Sequence, residues 1–293
     1  MKSIVSGESF LLQSGDLKAE ILTPWSGVYR RTRFAHTGFV SGLWLGDVRF
    51  TEAERAQTHQ QSTGGIGLCS EYNCPKVEMD SAVGEDYLKI GVGVLKRLEE
   101  PWRLVDTRCV DALPASVCAS ADAAVFECLS PAVNGYAYRE KRTLLLKGHV
   151  LHQEIEMENT GEKVLDISEY CHNFVSLGGL TTDETHRLEL PCLKEPQTLC
   201  SNGFTGTEYG ATWTGPMTGS YCCIREDSQP AQPYAWRLSS SRTSASIAEV
   251  LDFSPGLVVL WGTEYCVSAE VYKDLHILPG ETARWVREWH VAI

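Results

Sequence analysis

The sequence predicts an all-β fold, a large, mostly antiparallel sandwich formed as one domain over residues 1–293. Three observations predict it. Apolar and polar residues alternate with a period of two along much of the chain, and the 3.6-residue helical period is scarce. Turn chemistry punctuates the alternating runs, as at Asn159-Thr160-Gly161 and Pro279-Gly280. No fixed-period repeat and no Ser/Gly/Pro-rich linker divides the chain.

In chain order, strands are expected at "LKAEILT" (17–23) and "VYRRTRF" (28–34), and a short helical stretch at "TEAERAQTHQ" (51–60). "YAYREKRTLLL" (136–146) follows, then the clearest strand, "HVLHQEIEMEN". There Leu151, Gln153, Ile155 and Met157 share one face, and His152, Glu154, Glu156 and Glu158 the other. Four polar side chains on one face predict an antiparallel sheet wetted on that side. "NTGEK" (159–163) reads as a turn and "VLDISEYCHNF" as the returning strand, so 149–174 is expected to pair as a hairpin. Strands are also expected at 234–240, 256–262 and 282–293.

The chain is 43% apolar and 22% charged, the balance of an ordinary globular protein. Its net charge of −12, without a basic run, argues against nucleic acid or an anionic membrane as the main partner. Eleven cysteines, an odd number without a C-x-x-C pair, suit reduced thiols in a cytoplasmic protein better than disulfides or a zinc site. No leader-like apolar region and no apolar run long enough to span a bilayer is present. "GVGVLK" (91–96) lacks the third glycine of a dinucleotide site. No phosphate-binding loop, Gly-x-Ser-x-Gly or His-Glu-x-x-His sequence occurs, and the histidine spacing suggests no metal.

"EYCHNFVSL" (169–177) ends the alternation by setting an imidazole, His172, beside an amide, Asn173, with Phe174 behind. Together with "ENTGEKVLDISEYCHNFVSL", the C-terminal "SAEVYKDLHILPGETARWVREWHV" (268–291) and the segments 29–46 and 84–97, it resembles the galactose mutarotase-like superfamily, related to aldose 1-epimerases. The resemblance runs from about residue 28 to the C-terminus. It implies a large antiparallel β-supersandwich and a cofactor-free isomerase interconverting the anomers of a hexose. A base takes the proton of the anomeric hydroxyl while an acid on the other side of the ring protonates the ring oxygen. By resemblance His172 is the acid and Glu270 the base, with Glu264, of the same strand parity, as the rival. Arg33, Glu71 and Lys89 are candidates for binding sugar hydroxyls, and Trp213, in what reads as a Gly-rich loop, "GATWTGPM", for stacking on the ring.

Typical mutarotases carry a His-Gly-Gly and an Asn-Arg motif; the comparable region here reads "GGIGLCSEYNCP" (64–75). A non-catalytic carbohydrate-binding sandwich is therefore the alternative, and a structural or interaction sandwich, with "CHNF" as packing, the third reading. A cleft holding His172 and a carboxylate about 6–10 Å apart, the span of a sugar ring with hydrogen-bond reach on each side, favours the enzyme. Stacking aromatics without the pair favour the binder, and a filled groove favours the third. A small-molecule sugar is the expected partner; no metal is expected, and the oligomeric state is open.

Overall fold

The computed structural model describes residues 3–5, 7–54, 64–98, 109–191, 200–201, 203–207, 210–215, 220–225 and 235–293. Among them every strand pairing is antiparallel. The strands form a 12-stranded, a 9-stranded and a 3-stranded sheet. The middle of the largest sheet runs Ala123–Leu129, Tyr138–Lys147, Val150–Asn159, Thr282–Ala292, Ser246–Leu251, Trp236–Ser240. The second runs Ser220–Arg225, Leu257–Gly262, Val267–Ile277, Leu165–Asn173, Leu68–Asn73, Val40–Leu45, Leu17–Leu22, Ser9–Ser14. The described helix, Pro75–Met79, is short. The helix expected over 51–60 falls mostly outside the described residues; Thr51 and Ala53 make isolated β-bridges.

Alternation dictates the sandwich. In Val150–Asn159 the side chains of Leu151, Gln153, Ile155 and Met157 are buried. Those of His152, Glu154, Glu156 and Glu158 stay part-exposed and meet Glu288, Arg284 and Arg139 on neighbouring strands. The wet face expected of this strand is there.

Residues 149–174 do not form a hairpin. Val150–Asn159 pairs with Tyr138–Lys147 and Thr282–Ala292, whereas Leu165–Asn173 pairs with Val267–Ile277 and Leu68–Asn73. The chain crosses from one sheet to the other at 160–164, and crosses back at Pro279-Gly280. Period-2 patterning identifies a strand but is blind to its partner, and a turn sequence serves a sheet corner as well as a hairpin. Asn159 makes the corner. Its buried Nδ2 donates to the carbonyls of Lys163 and Ile277, both at 2.8 Å, and its Oδ1 accepts the N–H of Gly161. Its backbone N–H donates to Glu281 O and its carbonyl accepts from Gly280, so the two crossings are tied together. Gly161 has no room for a side chain, because a Cβ there would lie 2.6 Å from the backbone of Gly135 and Ala137.

The segment 28–34 is irregular instead of a strand. The hydroxyl of Tyr29 accepts the backbone N–H of Arg33 and of Phe34, at 3.1 and 2.8 Å, and so stands in for a ladder partner. Between the sheets lies an ionic lattice. Arg287, fully buried, holds Glu169 at 2.7 Å and Glu249 at 2.8 Å. Trp285 Nε1 donates to the same oxygen of Glu169, and Trp236 Nε1 donates to Glu249. Arg142, also fully buried, pairs with Glu140 at 3.2 Å and donates to Ser70 and Tyr72 of the facing sheet. The seven described free cysteines include Cys69, Cys74, Cys128, Cys171 and Cys266, all buried as small apolar side chains.

Removing one arginine strands two carboxylates in the core. Arg287→Met is expected to lower stability by about 3–5 kcal/mol. Urea unfolding of the variant and of Arg287→Met with Glu169→Gln and Glu249→Gln checks it, the triple change recovering much of the loss.

Candidate functional site

The site lies on the outer face of the nine-stranded sheet, and strand register builds it. In Leu165–Asn173, Glu169, Cys171 and Asn173 face the core, so Tyr170, His172 and the following Phe174 point to the other side. The pairing Leu165↔Ile277 through Glu169↔Lys273, continued at the same register, sets Tyr170 against Tyr272 and His172 against Glu270. On the other flank Tyr170 pairs with Glu71 and His172 with Cys69. Beyond, Val259 lies beside Glu270 and Trp261 beside Ser268. The result is a set of cross-strand rows: Glu71–Tyr170–Tyr272, then Cys69–His172–Glu270–Val259, then Phe174 near Ser268 and Trp261.

His172 Nε2 lies 3.1 Å from Glu270 Oε1, and the two side chains are 3% and 5% exposed. The imidazole stacks on Phe174, with ring centroids 4.0 Å apart, and meets Phe34 and Trp261 edge to face. Ser268 Oγ donates to the same Glu270 oxygen at 3.3 Å and accepts the backbone N–H of Asn173. Asn173 is held from the core side, its Oδ1 accepting from Trp289 Nε1 at 2.9 Å. Nδ1 of His172 is buried and finds no hydrogen-bond partner among the described residues.

Next to this pair stands a charged group. Arg33 Nε donates to Glu71 Oε2 at 2.6 Å, and its NH2 donates to the Tyr170 hydroxyl at 3.1 Å. Tyr170 also donates to Glu71 in a short hydrogen bond and stacks on Tyr272 at 4.3 Å. Lys89 Nζ lies 3.7 Å from Glu71 and donates to Tyr72 O.

These surroundings set the protonation states. Burial pushes the Glu270 carboxyl up to about 8, against the opposing pull of Arg33. Burial, with repulsion from Arg33, holds the His172 imidazole well below its ordinary value. Burial would raise Glu71 too, but Arg33 and Lys89 outweigh it and keep Glu71 low. At neutral pH the resting pair is thus a neutral imidazole against a carboxylic acid, with an ionised Glu71 nearby.

Five of the seven residues singled out in the sequence, His172, Glu270, Arg33, Glu71 and Lys89, therefore meet on one face. Trp213 does not. It closes the strand Gly210–Trp213 and is buried in the core beside Phe204 and His186. Glu264 lies in the turn before Val267–Ile277, where the parity argument has no force, and its carbonyl accepts from Thr182. The arrangement differs from expectation in two further ways. The pair is in contact where a ring-wide gap was expected, because cross-strand register places the two residues side by side. Its resting protonation states do not suit Glu270 as the base, since burial keeps that carboxyl protonated and the imidazole neutral. Phe174, noted behind the His-Asn pair, stacks on the imidazole; Tyr170, Trp261, Ser268 and Tyr272 were missed, although Tyr170, Ser268 and Tyr272 are i±2 neighbours of His172 and Glu270 and open to the parity rule. Among the described residues no group of three or more His, Cys, Asp or Glu is placed to hold a metal ion. An open groove of about 680 Å³, lined by Ser116, Glu127, Arg139, Lys141 and others, lies on the outer face of the other sheet.

The raised Glu270 carboxyl makes a signed prediction. A carboxyl protonated in the folded protein and ionised in the unfolded one favours the fold fully only below the ordinary carboxylate pKa; that contribution is lost as pH rises toward about 8. Glu270→Gln, which does not ionise, is therefore expected to gain stability relative to the parent between about pH 4.5 and 8. Urea midpoints across that range check it, and a constant difference would contradict it.

No protein-family model matches the chain, and no curated protein matches it. Solved structures do. A galactose mutarotase-like protein from Clostridium acetobutylicum superposes with a TM-score of 0.63 at 10% identity, over 100% of this chain and 98% of that one. A galactose mutarotase related enzyme from Lactobacillus acidophilus gives 0.59 at 9% identity, over 97% of each chain. An aldose epimerase homologue from C. elegans gives 0.53 at 10% identity, over 100% and 99%. Likeness at such identities speaks for the backbone and not for the chemistry, and on the backbone it agrees with the two packed antiparallel sheets: the chain has the all-β, galactose mutarotase-like supersandwich fold.

Proposed function

We propose that the protein is a carbohydrate epimerase of the aldose 1-epimerase type, interconverting the anomers of a hexose in the cytoplasm with His172 and Glu270. One observation carries this reading. A buried imidazole and a buried carboxyl stand 3.1 Å apart, and the imidazole keeps a nitrogen that no described group satisfies. Most buried ring nitrogens in a packed interior are hydrogen-bonded, since an orphaned buried group costs about 1–3 kcal/mol. A sugar hydroxyl would supply what the fold leaves out.

The chemistry follows from the resting protonation states. Neutral His172 accepts the proton of the anomeric hydroxyl while the Glu270 carboxylic acid protonates the ring oxygen. The bond between the anomeric carbon and the ring oxygen breaks, leaving an open-chain aldehyde. Both groups then carry charge, imidazolium against carboxylate, and their proximity offsets part of the desolvation that disfavours each alone. Rotation about the first carbon–carbon bond and reclosure return both protons and give the other anomer. Acid and base thus exchange the roles that the resemblance assigned, and the reaction needs no cofactor. Arg33 and Glu71 offer a donor and an acceptor to the remaining hydroxyls, with Lys89 behind them.

The contact between the pair, closed in by buried Phe34 and Phe174, favours instead the third reading, a sandwich without a sugar site, because a ring enters only where side chains move aside; a carbohydrate-binding protein without turnover stands as the second. The test is exchange NMR on a panel of free and phosphorylated aldoses. His172→Asn and Glu270→Gln are each expected to slow interconversion by about 10²-fold or more. Circular dichroism should stay at the parent's, and Glu264→Gln should leave the rate unchanged. A parent that binds a sugar without interconverting it supports the second reading.

A further inference from the structure

The site has hydrogen-bonding groups for a sugar's rim, and with Trp213 in the core a surface for the sugar's apolar face must come from the rings already on this side of the sheet. The geometry points to Trp261 as that surface, the side chain on which an aldopyranose lays its C–H face while its anomeric end reaches His172 and Glu270. The inference rests on the reading of the site as a sugar site and adds to it a residue and a ligand shape.

Register puts Trp261 in place. It pairs with Ser268, the residue whose hydroxyl contacts Glu270, and so stands on the same outer face one row away from the pair. Its ring centroid lies 5.2 Å from His172 and 5.7 Å from Phe174. Among the rings that touch His172, exposure singles it out. The aromatic group around His172 consists of Tyr29, Phe34, Phe39 and Phe174, all at 5% exposure or less, while Trp261 is only partly buried. It is thus the aromatic side chain of this cluster that touches both solvent and the buried imidazole. A ligand approaching His172 past Trp261 meets an indole first and the proton-transfer groups second.

The chemistry suits one class of ligand. A pyranose presents a patch of C–H bonds on one face and hydroxyls around its edge. The C–H patch packs on an indole through apolar contact and the ring quadrupole, while the edge needs donors and acceptors. An acyclic polyol has no such face. The arrangement therefore selects cyclic aldoses with several C–H bonds on one side over open-chain polyols of the same size.

The experiment uses the full chain, with D-glucose and D-galactose as probes and sorbitol as the acyclic control. Trp261→Ala is expected to raise KM for the preferred sugar by about 10-fold, with a much smaller change in kcat. Trp261→Phe should keep most of the parent's affinity. Saturating sugar should quench the parent's tryptophan fluorescence, and that quench should be absent in Trp261→Phe. A purely structural role predicts a lower melting temperature with KM unchanged. KM within 2-fold of the parent in the alanine variant overturns the proposal while leaving the acid–base reading standing. If the alanine variant does not fold, an identical quench in the parent and in Trp261→Phe overturns it. A parent that neither binds nor interconverts any sugar removes the reading of the site and this inference with it.

Discussion

The interaction on which the rest of the structure depends is the grip of Arg287 on Glu169 and Glu249 in the dry space between the sheets. Three charges there are tolerable only when every partner is in place, so the lattice accepts one alignment of the sheets and penalises others. Glu169 belongs to the strand that delivers His172. With Glu169 held by Arg287 and Asn173 by Trp289, that strand is pinned on its core face at two points. A slip by one residue would turn His172 into the core and Glu169 out of it. The polar lattice inside thus fixes the register of the polar site outside.

The site itself gains its chemistry from dryness. Neither His172 nor Glu270 has an unusual neighbour; what displaces their proton affinities is above all burial, in opposite directions for an imidazole and a carboxyl. Glu71, equally buried, behaves differently because Arg33 and Lys89 sit against it. Three titratable groups on one face are therefore held in distinct states by one rule applied to different company.

Much of this was legible in the residues. Alternation through Leu151, Gln153, Ile155 and Met157 identified both the strand and its inner face. His172 and Glu270 stood out in short stretches that resemble known ones, and Arg33, Glu71 and Lys89 from adjoining segments fell beside them. What stayed hidden was partnership. The hairpin reading of 149–174 failed because a corner and a hairpin use the same turn residues, and only the buried amide of Asn159 tells them apart. Trp213 read as a loop residue because its glycines suggested irregular backbone, yet Gly210 opens a short strand. The lattice of Arg142, Glu140, Arg287, Glu169 and Glu249 breaks the apolar pattern at inward positions, and nothing in a period reveals which charge meets which.

The paired corners at Asn159 have a mechanical consequence. Leu165–Asn173 and Val267–Ile277 both leave the same end of the sandwich, and His172 and Glu270 lie at equal contour lengths from it. The two strands act as parallel levers on a common fulcrum. Flexing the sheets about that end swings imidazole and carboxyl by similar arcs and leaves their spacing nearly untouched. On the proposed function, the gap a ring requires would come from rotation of side chains and not from parting of the sheets, and lengthening one lever by a single residue would misalign the pair and turn core-facing residues such as Glu169 outward.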